Sequence, residues 1–526
     1  MPPAPATVER GGGARHAVEV AAGIFVTRVL GYLRERVTAH YLGNGAVADA
    51  FRVALRIPNA VRNLLGEGTL SASFIPVYAS LNERDVEAGR ALAGAVAGLL
   101  LLATGTLALI GVVLAEPLTT VLAPGLAPAT RAIAVTLMRL LFPMSGVMVC
   151  SAWCLGILNT HRRFFLSYAA PALWNVAGIA ALVGAATWLV STALPLDQQL
   201  YRLALALAWG TVAGSLLQVG VQIPACWRLL HGIALRFSTA PEGVRAVLVA
   251  WLPLVLGAGV AQIASLVDTF LGSLAGQGGV SSLVYAQLIQ ILPVSLFGTS
   301  VAASALPDLS REAAATTPNE QLRTRIATGF RRITFFVIPS AVAFAALGPV
   351  IVGALFQTGR FGDADTAIVG GVLSAYGVGL LGQATVKLFA SGFYALRDTR
   401  TPVKIASFSL LVSSVLGFLF LRLYGGPAGI ALGSSIGQTL NVVLHLKDLD
   451  IRIGRVLGPA DWRAFGTSVG AALLAGVAAV AALRLGAGLS PIPLALLALG
   501  IFGVAYAAVT FALRHPDATR LWTSLR

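Results

Sequence analysis

The sequence predicts an all-α polytopic membrane protein: fourteen transmembrane helices, two six-helix lobes in parallel repeat plus two C-terminal helices. Three observations predict it. Of the 526 residues, 57% are hydrophobic and 11% charged, where soluble domains carry about 25% charged residues. Fourteen apolar stretches reach the roughly 20 residues that a span requires. The basic residues between these stretches gather in alternate loops, as they do on the cytoplasmic side of a membrane.

The elements follow in order. Residues 1–15, rich in Pro, Gly and Ala, read as a disordered cytoplasmic tail. They are not a signal peptide, because the first apolar segment is long and lacks a small-residue cleavage site. An N-lobe over 16–230 holds spans beginning near Ala17, Ala46, Leu92, Ile133, Phe164 and Leu203. A C-lobe over 242–450 holds spans beginning near Val247, Ser282, Ile333, Thr366, Ile405 and Ala428. A C-terminal pair over 460–515 starts near Phe465 and Ile492, and 516–526 is a second cytoplasmic tail. The second span is the least regular, interrupted by charges and by Pro58.

Loop charge tests this order. With the N-terminus inside, only Arg131, Arg202, Arg360, Arg422 and Arg484 of the 37 lysines and arginines fall on the outer side. Arg28, Arg34, Arg36, Arg52, Arg56, Arg62, Arg139 and Lys387 lie within spans, and the rest are cytoplasmic. Both termini are therefore expected in the cytoplasm. The net charge of +15 is largely a topology signal, and the basic loops need no nucleic acid. Outer loops such as "GNGAVA" and "GQGGVS" are short, so no outer globular domain is expected. Cys150, Cys154 and Cys226 all lie in apolar segments and read as packing residues, and the six histidines form no ligand cluster.

The halves resemble each other. "AFRVALRIPNAVRNLLGEGTLSASFIPVY" in span two matches "YAQLIQILPVSLFGTSVAASALPDL" in span eight, with Pro58 and Pro76 answering Pro293 and Pro307. "GILNTHRRF" after span four answers "GFYALRDTRTP" after span ten. "LALAWGTVAGSLLQ" answers "GIALGSSIGQTLN". Six spans is an even number, so both halves enter from the same side and the repeat is parallel. Duplicated transporters place their site between the halves and work by rocking them.

A charge in mid-membrane costs roughly 2.5–3.5 kcal/mol on insertion scales, so the intramembrane charges need a purpose. Residues three and four apart share a helix face. In span two Arg52, Arg56, Asn59 and Asn63 form one polar stripe, with Asp49 and Glu67 at its edge and Arg62 about 80° off it. In span one Arg28, Gly31 and Glu35 share a face, flanked by Arg34 and Arg36. Arg34 and Arg36 also lie near enough to the outer end to snorkel, and Glu35 is placed to pair with a neighbouring arginine. Seven intramembrane cations in the N-terminal half against Lys387 in the other predict an anionic ligand. Guanidinium matches phosphate in bidentate geometry, so a lipid-linked diphosphate fits, its tail remaining in the bilayer. Gly94–Gly98 and Gly466–Gly470 have the spacing that lets helices approach closely.

These stretches resemble the MurJ (MviN) lipid II flippases of the MOP exporter superfamily. The resemblance covers essentially the whole chain and is carried by "RVLGYLRE", "DAFRVALRIPNAVRNLLGEGTLSASFIPV", "GILNTHRRF" and "GFYALRDTRTPVKIA". It implies fourteen spans, a C-terminal pair that forms a groove for the polyprenyl tail, and movement of lipid II from the inner to the outer leaflet. It places the family's cavity arginines on Arg28, Arg34 and Arg62, its span-two acids on Asp49 and Glu67, and its span-ten lysine on Lys387. It implies a multi-pass protein of the bacterial cytoplasmic (inner) membrane. The implied partners are lipid II or a similar polyprenyl-diphosphate lipid, the membrane and the cell-wall synthesis machinery. Some members hold sodium between spans seven, eleven and twelve. Asp268 matches that site's aspartate, while the span-eleven ligands are replaced by Ser413 and Gly417.

One stretch departs from the family. "YADRL" in span eight becomes "YAQLIQI", so Leu288 stands at the arginine position and Ile291 at a following acid. Arg52 occupies a span-two site that is usually apolar, which suggests that it takes over part of the anion contact.

No glycine-rich phosphate loop is present, so ATP is not the direct drive. No cofactor is expected, and the membrane potential or an ion gradient supplies the energy. The chain is expected to be a transporter, not an enzyme. Two transport readings compete, a flippase for another polyprenyl-diphosphate-linked saccharide and a multidrug antiporter of the same superfamily. Antiporter pockets favour acids, so the arginine surplus opposes the second. A membrane glycosyltransferase would need an acidic cluster near one face, and "ERDVE" at 83–87 reads as a solvated loop.

Overall fold

The computed structural model describes residues 10–66, 68–189, 194–302, 318–486 and 488–519. These are helical almost throughout, with no strand longer than the isolated Thr358–Phe361 bridge among the described residues. They form two compact units: Met1–Leu42 with Ala46–Leu266, and Gly43–Gly45 with Val267–Arg526.

The first unit contains α1 (Arg10–Leu42), α2 (Ala46–Leu65), α3 (Thr69–Arg84), α4 (Val86–Val113), α5 (Ala115–Leu122), α6 (Pro128–Thr160), α7 (Phe164–Ala169), α8 (Pro171–Leu189) and α9 (Leu196–Leu229). It ends inside α10 (Val244–Leu274). In the second unit are α11 (Gly279–Pro293), a π-helical turn (Val294–Thr299), α12 (Pro318–Phe356), α13 (Asp363–Ala395), α14 (Arg400–Tyr424), α15 (Gly426–Ile453), α16 (Pro459–Leu485) and α17 (Pro491–Ala512).

Eleven helices among the described residues are long and apolar enough to cross a membrane. The expected spans outside that set are the first, second and twelfth; charge interrupts the first two, and the twelfth is diluted by Ser434, Ser435, Gln438 and Asn441 ahead of its charged end. α1 carries Arg28, Arg34, Glu35 and Arg36; α2 carries Asp49, Arg52, Arg56 and Arg62; α15 ends in Lys447, Asp448, Asp450 and Arg452. The second expected span is also two helices, interrupted after Leu65, with Gly68 in the left-handed region at φ 82°. Helix α1 begins at Arg10, so residues 10–15, expected in a disordered tail, are helical.

The boundary between units falls at Leu266–Val267, past the residues 231–241 that separate the expected lobes. Two contacts explain this. The linker lies on α4, where the Arg236 amide donates to the Gly94 carbonyl at 3.1 Å. The first part of α10 is hydrogen-bonded to α2. The Gly94–Gly98 spacing therefore serves an extended segment and not a second helix. A Cβ at Gly94 would sit 2.0 Å from Ala234 O, and one at Gly98 2.3 Å from Arg236 O. At Gly466 and Gly470 no described atom lies within 4 Å of such a Cβ, so the close helix approach expected there is absent.

The core of the first unit is apolar around α2, α6 and α9, with Phe51, Met138, Leu141 and Leu207 buried. A second cluster joins α3, α4, α6 and α9 through Phe74, Tyr78, Leu92 and Trp153. Cys150, Cys154 and Cys226 are free thiols, the last two buried in this cluster. A polar chain crosses it: Gln218 Nε2 donates to Ser151 Oγ, which donates to Gln222 Oε1, both at 2.7 Å.

Four helices end alike. Arg162, His231, Arg397 and Arg514 take positive φ of 58°, 50°, 60° and 51° after α6, α9, α13 and α17. In each case the next amide reaches back to close the turn, as Arg163 N to Leu158 O at 2.8 Å and Asp398 N to Phe393 O at 2.9 Å. Glycine is the usual residue here, and at three of these ends an arginine instead meets the negative end of the helix. Two of the four ends, at Arg162 and Arg397, lie in "GILNTHRRF" and "GFYALRDTRTP" at corresponding positions. The loops beyond are held differently. Tyr78 OH lies 3.0 Å from His161 Nε2 in the first. In the second, Asp398 accepts from the Thr401 hydroxyl at 2.6 Å and from Arg452 at 2.7 Å. Those Thr401 bonds, with Arg452 and the Arg400 amide, hold the Asp398 carboxyl well below the usual carboxylate range.

Candidate functional site

Arg34 and Glu35 on α1, Arg52 and Arg62 on α2 and Trp174 on α8 come together in the first unit. Glu35 on α1 is buried and accepts from two arginines. Arg34 Nη2 donates to Oε1 at 2.7 Å, and Arg52 Nη2 donates to Oε2. Arg52 is itself buried on α2. Two guanidinium groups on one carboxylate leave a net positive charge among apolar helices. Glu35 is thus the neighbour-paired acid that its position allowed.

Arg34 is fixed a second time. Its guanidinium carbon lies 4.2 Å from the ring centroid of Trp174 on α8. The Arg62 guanidinium from α2 approaches the same ring at 5.8 Å. Both fall within the range of cation–π attraction. Local sequence makes the seat. Gly214 on α9 packs on the α8 backbone, where a Cβ would lie 2.8 Å from Trp174 Cα. Gly178, one turn along α8, leaves room for the Arg34 stem, whose Cδ would be 3.5 Å from a Cβ there. Asn175 Nδ2 donates to Thr27 O at 3.4 Å, tying α8 to α1.

The polar stripe on α2 is divided among partners. Arg52 turns to Glu35, whereas Arg56 Nη1 donates to Ser265 Oγ at 2.7 Å and Asn63 Nδ2 to Gln262 Oε1 at 3.5 Å. Ser265 and Gln262 are three apart on α10, so the i, i+7 pair on α2 faces an i, i+3 pair on its neighbour. Asp49 is buried in the first turn of α2, where an acid complements the helix dipole. Arg28 is exposed on α1 and has no ion-pair partner among the described residues. Glu67 lies outside the described residues.

Lys387 belongs to the second unit, where it is exposed on α13 and its Nζ donates to Thr299 Oγ1 at 3.2 Å. On α11, Leu288 is half-buried and Ile291 is exposed. Gln287 beside them donates from Nε2 to Asp268 Oδ2 and contacts Tyr376 OH, both at 3.0 Å. An amide donor on the Asp268 carboxylate competes with a cation for that oxygen. Gly417 offers no side-chain oxygen, and no group of three His, Cys, Asp or Glu side chains gathers among the described residues.

Sequence reasoning singles out Arg34, Arg62, Arg52 and Arg56 as candidates but not Trp174, Ser265 or Gln262, which the structure places against them. Trp174 is one of eight tryptophans, and most tryptophans in spans serve as interface anchors. The one available signal was its seat between the Pro171 helix start and Gly178.

The family model described as lipid II flippase MurJ matches residues 38–492. A lipid II flippase MurJ of Burkholderia cenocepacia is 33% identical over 467 residues, covering 88% of each chain. Among solved structures, a lipid II flippase MurJ in an inward closed conformation aligns at TM-score 0.76 and 23% identity, covering 94% of this chain and 99% of that one. An inward-facing multidrug-resistance MATE transporter of the MOP superfamily aligns at TM-score 0.63 and 17% identity, over 84% and 98% of the two chains. Both structural likenesses speak to the fold. The family match and the identity to the Burkholderia protein go further: this chain belongs to the MurJ family of lipid II flippases.

Proposed function

We propose that this chain flips lipid II from the inner to the outer leaflet of the cytoplasmic membrane by alternating access. It is a transporter and not an enzyme. The observation that carries the reading is the meeting of Arg34 and Arg62 on Trp174 within an apolar helix bundle. A guanidinium stacked by its face keeps its in-plane N–H groups for an oxyanion. A pair so arranged suits a diphosphate whose prenyl tail stays in hydrocarbon, the substrate class named for the Burkholderia relative.

In this reading the exposed Arg28 makes the first contact, Arg34 and Arg62 hold the diphosphate, and Arg56 and Lys387 act in later stages. Arg52 serves chiefly by holding Glu35. The eleven apolar helices, together with α1, the broken α2–α3 segment and α15, make fourteen spans in two six-span lobes and a C-terminal pair, with both termini cytoplasmic. The drive is the membrane potential or an ion gradient, which biases a charged cavity by about 2.3 kcal/mol per charge per 100 mV. Leu288 and Ile291 favour a second reading, in which the saccharide carried on the polyprenyl diphosphate differs from that of lipid II.

The test is complementation in a bacterium whose own lipid II flippase is shut off, with lipid II exposure on the outer leaflet measured directly. Rescue by the wild type, lost in Arg28→Ala and Arg62→Ala, is the expected result. No rescue by correctly inserted protein would sink the lipid II reading and favour the second.

A further inference from the structure

We propose that Trp174 is a positioning residue of the substrate site: its indole face holds Arg34 and Arg62 as a preorganised pair, tuned to bind a diphosphate. The inference rests on the reading given under Proposed function and assigns a role to a residue outside the charged set.

The argument begins with two like charges. Arg34 and Arg62 come from different helices and carry like charges, so bringing their guanidinium groups to one place costs repulsion that a shared partner offsets. The electron-rich face of an indole attracts both, and tryptophan does so more strongly than tyrosine or phenylalanine. Arg34 is then restrained on two sides. Glu35 takes one Nη2 bond at 2.7 Å, and the ring centroid lies 4.2 Å from the guanidinium carbon. Arg34 Nη2 keeps its second hydrogen, which with the neighbouring Nη1 or Nε–H makes a two-donor edge that matches a phosphate oxygen pair.

A packing role alone accounts poorly for the residue. The indole Nε1–H of Trp174 is buried with no hydrogen-bond acceptor among the described residues. Buried indole nitrogens usually find a partner, and a phenylalanine would fill this place without an orphaned donor. The neighbours are also arranged around the ring and its cations. Gly214 lets the α8 backbone settle against α9, and Gly178 clears the path of the Arg34 stem. Preorganisation of this kind raises affinity by lowering the cost of ordering the binding groups.

The experiment uses the full chain in proteoliposomes with fluorescent lipid II, and separates KM from kcat. Trifluorotryptophan placed at position 174 alone keeps the shape and drains the ring of electron density. KM is expected to rise about three- to tenfold with little change in kcat. Trp174→Phe should lie between that variant and the wild type, and Trp174→Leu should be the weakest binder. An unchanged KM for the trifluorotryptophan protein would overturn the proposal, whatever Trp174→Leu does to folding. Arg34→Ala and Arg62→Ala run alongside. If neither alters transport, the diphosphate reading of the site fails; if both do while the fluorinated ring is neutral, the positioning role alone fails.

Discussion

Glu35 and Arg52 form a buried ion pair between α1 and α2, bridging 17 residues of sequence, and Arg34 shares the same carboxylate. A buried pair recovers its desolvation cost only when geometry and further hydrogen bonds are good. Here the second arginine supplies them, so the triad behaves as one unit.

Removing Glu35 should therefore be costly. Glu35→Ala leaves two neighbouring guanidinium groups without their counter-charge and is expected to cost about 3–5 kcal/mol. Adding Arg52→Leu should recover a large part of that loss. Unfolding in mixed micelles across the double-mutant cycle measures the coupling, and additive single effects would show that the pair is not a unit. Transport gives a second reading of the same variants. If Arg52 acts through Glu35, the double variant should be less impaired than Arg52→Ala alone. A direct Arg52–diphosphate contact predicts no such recovery.

Much of this site was legible in the sequence because charge in a span is rare and helical spacing is rigid. Arg52, Arg56, Asn59 and Asn63 stand on one face by arithmetic alone, and two of them meet α10 as a polar stripe should. What spacing cannot supply is the identity of a partner some two hundred residues away. Ser265 and Gln262 are ordinary polar residues in an apolar helix until α2 is packed against them. Trp174 was hidden for a different reason. An aromatic residue in a span has many uses, and only three-dimensional placement shows two cations over its ring. The Gly94–Gly98 pair was read correctly as a close approach, but periodicity gives no sign that the approaching chain is extended.

That approach leads to a second prediction. At Gly94 a methyl group would lie 2.0 Å from the Ala234 carbonyl oxygen, and the neighbouring Arg236 amide is bonded to Gly94 itself. A backbone atom cannot rotate away as a side chain does. Gly94→Ala should destabilise the first unit by about 1–3 kcal/mol or more, the range of overpacked cores. It should also release the 231–239 segment, which limited proteolysis would detect. Gly466→Ala, in open surroundings, serves as the control and should be neutral.

The basic residues in left-handed turns yield the opposite sign. Arg397 takes φ 60° and is exposed, so its backbone strain is not offset by a buried contact. Arg397→Gly should stabilise the α13 end by about 1 kcal/mol, because glycine adopts this conformation freely. Arg397→Ala should not, since it keeps the Cβ and loses the cation at the helix terminus. Thermal unfolding of the two variants decides the matter. A lower stability for the glycine variant would mean that the arginine side chain outweighs its backbone strain.

His515 supplies a pH dependence whose sign is fixed by geometry. It is buried just beyond α17, at 2% exposure, and its Nδ1 accepts from the Asp517 amide at 3.2 Å. The proton therefore sits on Nε2, facing Ala464 O at 3.2 Å and Ser468 Oγ at 3.1 Å on α16. This neutral tautomer pins the end of α17 to α16. Burial lowers the His515 pKa below the ordinary value, a push that Asp517 opposes and Arg331 reinforces. A proton on Nδ1 would also displace the Asp517 amide bond. As pH falls below about 6.5, the unfolded segment takes up a proton that the folded one refuses. Stability is thus full above that pH and declines below it, down to the folded pKa, by at most about 1.4 kcal/mol per pH unit. Cysteine-labelling rates in the last turn of α17, measured from pH 7.5 to 5.5, should rise as the pH drops. His515→Gln should flatten that dependence, and a profile that keeps its slope in the variant would assign the titration to another group.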